Sequence, residues 1–189
     1  MSEREPLSPP ADWARQLLGF WFDGHGMEDW YGGGADFDRD VADLAADWHD
    51  ALRSQPASSF LTDPDTALAA AILFDQVPRN IHRHNAEAFA TDDLARAIAR
   101  GIVAHGWDRD WPDERQQFAY LPFQHSEDMA DQRESLRLFN QLADPLFHDY
   151  AQTHFDMIDR YGRFPHRNAA LGRATRDDEE AAIEEGKDW

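Results

Sequence analysis

The chain contains no cysteine. A disulfide framework, a thiol nucleophile and a thiolate metal site are therefore excluded, and the composition suits a reducing compartment. Lysine is nearly absent as well: Lys187 is the only one, and every other basic side chain apart from histidine is arginine. No long hydrophobic run exists. The longest, Ala67 to Phe74, is far too short to span a bilayer. The acidic opening has no apolar stretch behind it, so no secretory signal is read and a cytoplasmic location is expected. No alternating apolar and polar segment of useful length supports a strand. The glycine run Tyr31-Gly32-Gly33-Gly34 lacks the Lys-Ser/Thr and the preceding strand of a phosphate loop, and it reads as a connector.

What is abundant is negative charge. The formal net charge is -19 over 189 residues. Such a surface repels nucleic-acid phosphates and anionic lipid headgroups, so neither partner is expected. GC-rich coding and adaptation to high salt both produce this arginine-rich, acidic composition. Aromatic residues make up 12% of the chain, with seven Trp and twelve Phe, which is enough burial to offset chain entropy in a domain of this length.

The helical period dominates. Trp13, Leu17 and Trp21 mark a first helix, with Asp12 near its start. Phe37, Val41, Leu44, Trp48 and Leu52 recur at steps of three and four, with aspartates largely off that stripe. They predict an amphipathic helix of about five turns. Asp63-Pro64 reads as an N-cap followed by proline at the first helical position, opening a helix interrupted near Pro78. Thr91 is expected to cap the next helix, whose stripe is Leu94, Ile98 and Ile102 and which stops at Gly106. A short helix is expected from Pro112 to about Leu121-Pro122. Ser126 is read as the cap of another, with Met129, Leu136, Phe139 and Leu142 inward. Asp144-Pro145 repeats the cap-plus-proline signal before a helix carrying Phe147, Ala151, His154, Ile158 and Tyr161 on one side and ending at Gly162. His154, on that apolar stripe, is expected to be a hydrogen-bonded core residue. The organisation read from this pattern is a disordered segment over 1–10, one all-α domain over 11–176 and an acidic tail over 177–189.

Three segments carry polar groups that a plain helical bundle does not need. The first is Phe74 to Arg83. Here Asp75 and Arg79 lie one turn apart and would pair if the helix ran on through Pro78, while Arg79, Asn80 and Arg83 together suit a carboxylate or phosphate. A kinked helix end capped by Arg and Asn is the plainer alternative. The second is Tyr120 to Asp128. His125 with Glu127 or Asp128 joins imidazole to carboxylate, the ingredients of proton transfer or metal binding. The alternative is a helix start, with acids in its first turn. The spacing matches no strong metal motif, so no metal and no cofactor are expected. The third is Tyr161 to Arg173, a turn dense in Arg and His, including Arg163, His166, Arg167 and Asn168. It reads either as ligand-binding or as a clamp pairing arginines with the surplus acids of neighbouring helices.

These blocks give the chain a recognisable pattern. With the aromatic opening Gly19-Phe20-Trp21-Phe22, the blocks 75–81, 120–128 and 162–173 resemble the bacterial family called domain of unknown function 924, in the family's order and over roughly residues 11–176. Val77 and Gln124 are minor departures. The resemblance implies a tetratricopeptide-like α-α superhelix of antiparallel helix pairs, and it implies no established activity.

The leading expectation is a helical binding domain recognising a small anion or a peptide carboxylate. Arg79, Arg83, Arg163 and Arg167 would supply charge, Asn80 and Asn168 orientation, His125 and His166 a response to pH, and Asp75 a partner for Arg79. One alternative is a hydrolase using His125 with Glu127 or Asp128. Another is a scaffold whose motifs lock the fold. The oligomeric state is left open.

Overall fold

The computed structural model describes residues 8–32 and 34–185, the side chain of residue 185 excepted. Most of the N-terminal segment expected to be disordered, Gly33 of the glycine run, and residues 186–189 of the expected tail lie outside the described residues. Among the described residues the regular structure is entirely helical. None of these helices is long and apolar enough to cross a membrane.

The chain forms two compact units. The first runs up to Arg83 and adds Glu87–Asp108. It contains α1 (Trp13–Leu18), which continues as a π-helical turn over Gly19–Asp23, then α2 (Met27–Gly32), α3 (Ala35–Leu52), α4 (Pro64–Ile81) and α5 (Asp92–His105). The second takes His84–Ala86 and everything from Arg109 onward. It contains α6 (Asp113–Gln124), α7 (Met129–Phe139), α8 (Pro145–Tyr161) and α9 (Glu180–Glu185).

In the first unit α4 is the central element. Every residue from Ala67 to Phe74 is fully buried, so this helix is apolar all round, and α1, α3 and α5 pack against it. Small alanines along Ala67, Ala69, Ala70 and Ala71 make room for those neighbours. Asp63 caps α4 as expected, accepting from the Thr66 amide at 2.9 Å. The apolar stripe of α3 buries Phe37, Val41, Trp48 and Leu52, and adds His49. Tyr31 and Gly32, read as connector, close the short helix α2.

Pro78 does not interrupt α4. The helix continues three residues past it to Ile81. A proline at this place cannot donate to the carbonyl of Phe74, one turn back, and such a buried acceptor is costly if left unmet. The Thr91 hydroxyl donates to that carbonyl at 2.7 Å. Thr91 does not cap α5 through its side chain, contrary to the sequence expectation, because its hydroxyl is turned toward the Phe74 carbonyl and His49 and not toward the α5 amides. The Thr91 oxygen lies 3.2 Å from Nε2 of the fully buried His49, so that nitrogen is the donor and fixes the tautomer. Burial holds the His49 imidazole below its ordinary pKa.

The second unit packs α7 against both α6 and α8. Here too a proline is internal: α6 passes Pro122 and ends at Gln124, beyond the expected stop. The start of α7 also differs from expectation. Asp128, not Ser126, is the cap, accepting from the amides of Ala130 at 2.7 Å and Asp131 at 3.3 Å. Ser126 is buried and donates to the Asp131 carboxylate at 2.8 Å. A carboxylate accepts from two amides at a helix start more strongly than a hydroxyl accepts from one, and that decides the register. Gln132 seals the α6–α7 turn by donating to the carbonyls of both Gln124 and Ser126 at 2.7 Å. Asp144 caps α8 as expected, and all five residues of its predicted stripe are buried. The stretch from 177, expected as a tail, is packed within its described part. Glu179 is fully buried and Ala182 joins Met157, Ile158, Tyr161 and Phe164 in one apolar cluster.

Candidate functional site

The polar motif of the first unit is closed on itself. Arg79 makes a two-pronged pair with Asp92, Nη1 to Oδ1 at 2.9 Å and Nη2 to Oδ2 at 3.0 Å. It also lies 3.4 Å from the Asp75 carboxylate, the pair expected from their spacing, and stands over the Phe89 ring. Asn80 donates back to the Gln76 carbonyl at 3.1 Å. Arg83 holds Asp38 of α3, with Nη2 to Oδ1 at 2.7 Å. Burial works against the Arg79 charge, but Asp75 and Asp92 outweigh it and raise its pKa. Arg79 thus joins α4 to α5 and Arg83 joins the end of α4 to α3, while Asn80 bonds back within α4.

The second unit gathers its motif residues around Phe164. Gly162 ends α8 in the left-handed region, at φ 68°, where a side chain would be strained. The chain then turns through Phe164, Pro165, Arg167 and Asn168, all buried. Gly172, at φ 63°, bends it back so that the Arg173 amide donates to the Asn168 carbonyl at 2.8 Å. Arg173 then ties the turn to the 124–128 block. Its guanidinium donates to both Glu127 oxygens, at 2.7 and 3.0 Å, and to the Phe164 carbonyl at 3.0 Å. Glu127 also accepts from the Phe164 amide at 2.8 Å. Burial disfavours the Glu127 carboxylate, yet the hydrogen bonds from Arg173 and Phe164 prevail and hold its pKa below the usual value. That makes it a weak base. Asp128 spends its carboxylate on the α7 cap. The two acids of the hydrolase expectation are therefore both engaged in holding the fold.

Next to this frame lie His125, His154, His166 and Arg167. Arg167 donates to the His125 carbonyl at 3.0 Å, and its guanidinium sits 4.4 Å from the centre of the Phe164 ring. The rings of His154 and His166 each lie 5.6 Å from Phe164, and His125 lies 6.2 Å from His154. His154 is a core residue as expected, with Nδ1 donating to the Tyr150 carbonyl at 2.8 Å, which leaves Nε2 the acceptor in the neutral ring. Burial first, and the neighbouring His125 second, push its pKa down to about 3. Burial and then the Arg167 charge do the same to His166, also to about 3. Both rings are neutral near pH 7, against a permanent cation.

Arg163 and Asn168 point elsewhere, onto Glu179. Arg163 donates through Nε and Nη2 at 2.7 Å each, and Asn168 through Nδ2 at 3.0 Å. This is the clamp of arginine on surplus acid that the sequence offers as an alternative. Glu179 itself is not singled out by sequence reasoning, because one acid in the run Asp177-Asp178-Glu179-Glu180 carries no mark of burial. The only signal is the Ala181-Ala182-Ile183 that follows it. Among the described residues no group of three or more His, Asp or Glu side chains is placed to hold a metal ion.

This helical frame, with its Asp75–Ile81, Tyr120–Asp128 and Gly162–Arg173 blocks, belongs to a bacterial protein family of unknown function, DUF924, whose model matches residues 17–187. A solved structure, the protein of unknown function ATU0120 from Agrobacterium tumefaciens, is similar to this chain at 36% identity, covering 92% of this chain and 97% of its own with a TM-score of 0.85. No curated protein matches.

Proposed function

We propose that this chain is a cytoplasmic helical binding domain that takes a small anion at the histidine–arginine cluster of its second unit. The observation that carries the reading is the convergence of Arg167 with two imidazoles at Phe164, His154 and His166, both held neutral at about pKa 3, and a third, His125, beside His154. Arg167 supplies a fixed charge on a ring platform and a planar donor fork suited to phosphate or carboxylate. His125 and His166, both half-buried, add imidazole nitrogens to the cluster. An arriving anion offsets the Arg167 field and makes a proton on His166 less costly, so binding draws in protons. The earlier candidates Asp75, Arg79, Asn80, Arg83, Arg163 and Asn168 serve as the frame. The cysteine-free composition suits the cytoplasm, and the acidic surface disfavours nucleic acid and anionic membranes.

The scaffold reading is favoured by one specific fact: Arg79, Arg83, Arg163 and Arg173 all carry carboxylate partners within the chain. Histidine proton resonances followed by NMR from pH 8 to 4, with and without inorganic phosphate, separate the two. The sign follows from the depressed imidazole pKa values. Unfolded histidines bind protons below about pH 6.5 while His154 and His166 in the fold do not. Their contribution to stability is complete above that value and is lost as pH falls toward 3. With phosphate bound, the His166 midpoint should move upward, so its share of the acid loss of melting temperature should be smaller and should end at a higher pH. Arg167→Met should remove both effects. Unmoved resonances in the native chain would leave the scaffold reading standing.

A further inference from the structure

The Glu179 carboxylate is received as a ligand is received. Its Oε1 accepts from Arg163 Nε at 2.7 Å. Its Oε2 accepts from Arg163 Nη2 at 2.7 Å, from Asn168 Nδ2 at 3.0 Å and from the Arg176 amide at 2.8 Å. The Arg176 side chain lies 3.7 Å away. The acid is fully buried, on a chain that is otherwise rich in solvated acids.

One donor on the receiving side, Asn168, is oriented without help from Glu179. The Asn168 carboxamide is fixed by Arg173, whose Nε donates to its Oδ1 at 3.1 Å, so its Nδ2 faces the acid. Arg173 is in turn held by Glu127 and the Phe164 carbonyl. Arg163 follows the left-handed Gly162 at the end of α8. A fork of this kind matches a carboxylate in both prongs.

The acid arrives on a separate segment. Residues 174–185 lie over the end of α8, held by three further contacts. Arg163 Nη2 donates to the Ala174 carbonyl at 2.8 Å, and Arg176 Nη1 to the Tyr161 carbonyl at 3.1 Å. Ala182 enters the apolar cluster of Met157, Ile158, Tyr161 and Phe164. The segment thus has the make-up of a short recognition peptide, with one buried acid, one small apolar anchor a turn later and solvated acids around them.

We propose that Arg163, Asn168 and the end of α8 form a receptor for an acidic, short-helical peptide, and that residues 174–185 are its resident ligand in cis. Covalent tethering keeps the receptor occupied at high effective concentration, so a peptide in trans competes only when the resident acid is weakened. The receptor involves neither Arg167 nor the imidazoles, so it stands or falls apart from the anion site above.

The test uses the full chain carrying Glu179→Gln and a fluorescein-labelled peptide of residues 174–185, read by anisotropy. The peptide should bind this variant at least ten-fold more tightly than the native chain, and a peptide with Gln in place of its Glu179 should lose that gain. Adding Arg163→Ala to the Glu179→Gln chain should abolish binding. Equal binding of the two peptides, or equal binding to the native and Glu179→Gln chains, would overturn the proposal. If Glu179→Gln loses its helical dichroism, Glu179→Ala decides the matter. Acetate should then restore the melting transition more than chloride at equal ionic strength, and equal effects of the two salts would refute the receptor.

Discussion

The two units use the same residue types to different ends. In the first, the Asp75–Ile81 block directs its polar groups at neighbouring helices. Arg79 and Arg83 each meet a carboxylate on another helix, and the carbonyl freed by Pro78 meets Thr91. In the second, Glu127 and Arg173 make a similar lock, but beside it stand Arg167 and two imidazoles, His154 and His166, that burial above all holds neutral. A motif dense in arginine is thus not by itself a binding site. Where the partner acids come from within the chain, the arginines are structural. A guanidinium set on an aromatic ring among neutral histidines, as Arg167 is, is the arrangement on which the anion proposal rests.

The sharpest way to break this comparison is Arg79→Ala. It strands Asp75, 1% exposed, and Asp92, 14% exposed, without their guanidinium. Removing one member of such a buried pair costs roughly 3–5 kcal/mol. Chemical denaturation should show a loss of that size, and Arg79→Lys should recover only part of it, because an ammonium cannot make the two-pronged pair. A loss under about 1 kcal/mol, the value of an exposed pair, would remove Arg79 from the frame.

A smaller effect isolates the proline repair. Thr91→Val keeps the shape but leaves the Phe74 carbonyl and His49 Nε2 unmet, at a cost of about 1–3 kcal/mol. Pro78→Ala restores an amide one turn beyond that carbonyl, so the Thr91→Val cost should shrink in its presence. The double-mutant cycle gives the coupling directly. Additive costs would mean that the hydroxyl and the proline act independently.

Much of the fold was legible because it rests on local chemistry. The caps Asp63 and Asp144 followed by proline, the glycine stop at Gly106 and the α8 stripe all follow from neighbours within a turn. The errors have a common cause. Pro78 and Pro122 read as stops because local rules count only the lost hydrogen bond, and the repair at Pro78 comes from Thr91, in another helix. Ser126 and Asp128 both satisfy the cap rule, and the carboxylate, accepting from two amides, takes the place while the serine turns to Asp131. The candidate site was legible in part. His125, His166 and Arg167 stood out as polar groups in unlikely places, whereas Glu179 had no such contrast within a run of acids. The pairing of Arg163 with Glu179 rather than any nearer acid is set by how α8 and the 174–185 segment meet, which no spacing rule records.

The smallest expected effect concerns the surface both units share in composition. At a net charge of -19, exposed carboxylates repel one another, and the compact state brings them closer than the unfolded chain does. Added salt screens that repulsion over a Debye length of about 10 Å at 0.1 M. It also weakens the exposed pairs Asp12–Arg15, Asp36–Arg39 and Asp93–Arg96, each within one helical turn. Such exposed pairs contribute little, and acids outnumber bases by 37 to 18, so the repulsion should prevail. The buried locks Arg79–Asp92 and Arg163–Glu179 are shielded from the ions and should not respond. The melting temperature should therefore rise by a few degrees from low salt to about 0.3 M sodium chloride, the shift expected for about 1 kcal/mol in a domain of this size. The chloride series needs a matched phosphate series at equal ionic strength, because a specific anion adds its own binding energy to the screening. A fall in melting temperature with sodium chloride would show that paired surface charges, and not unpaired acids, set the balance.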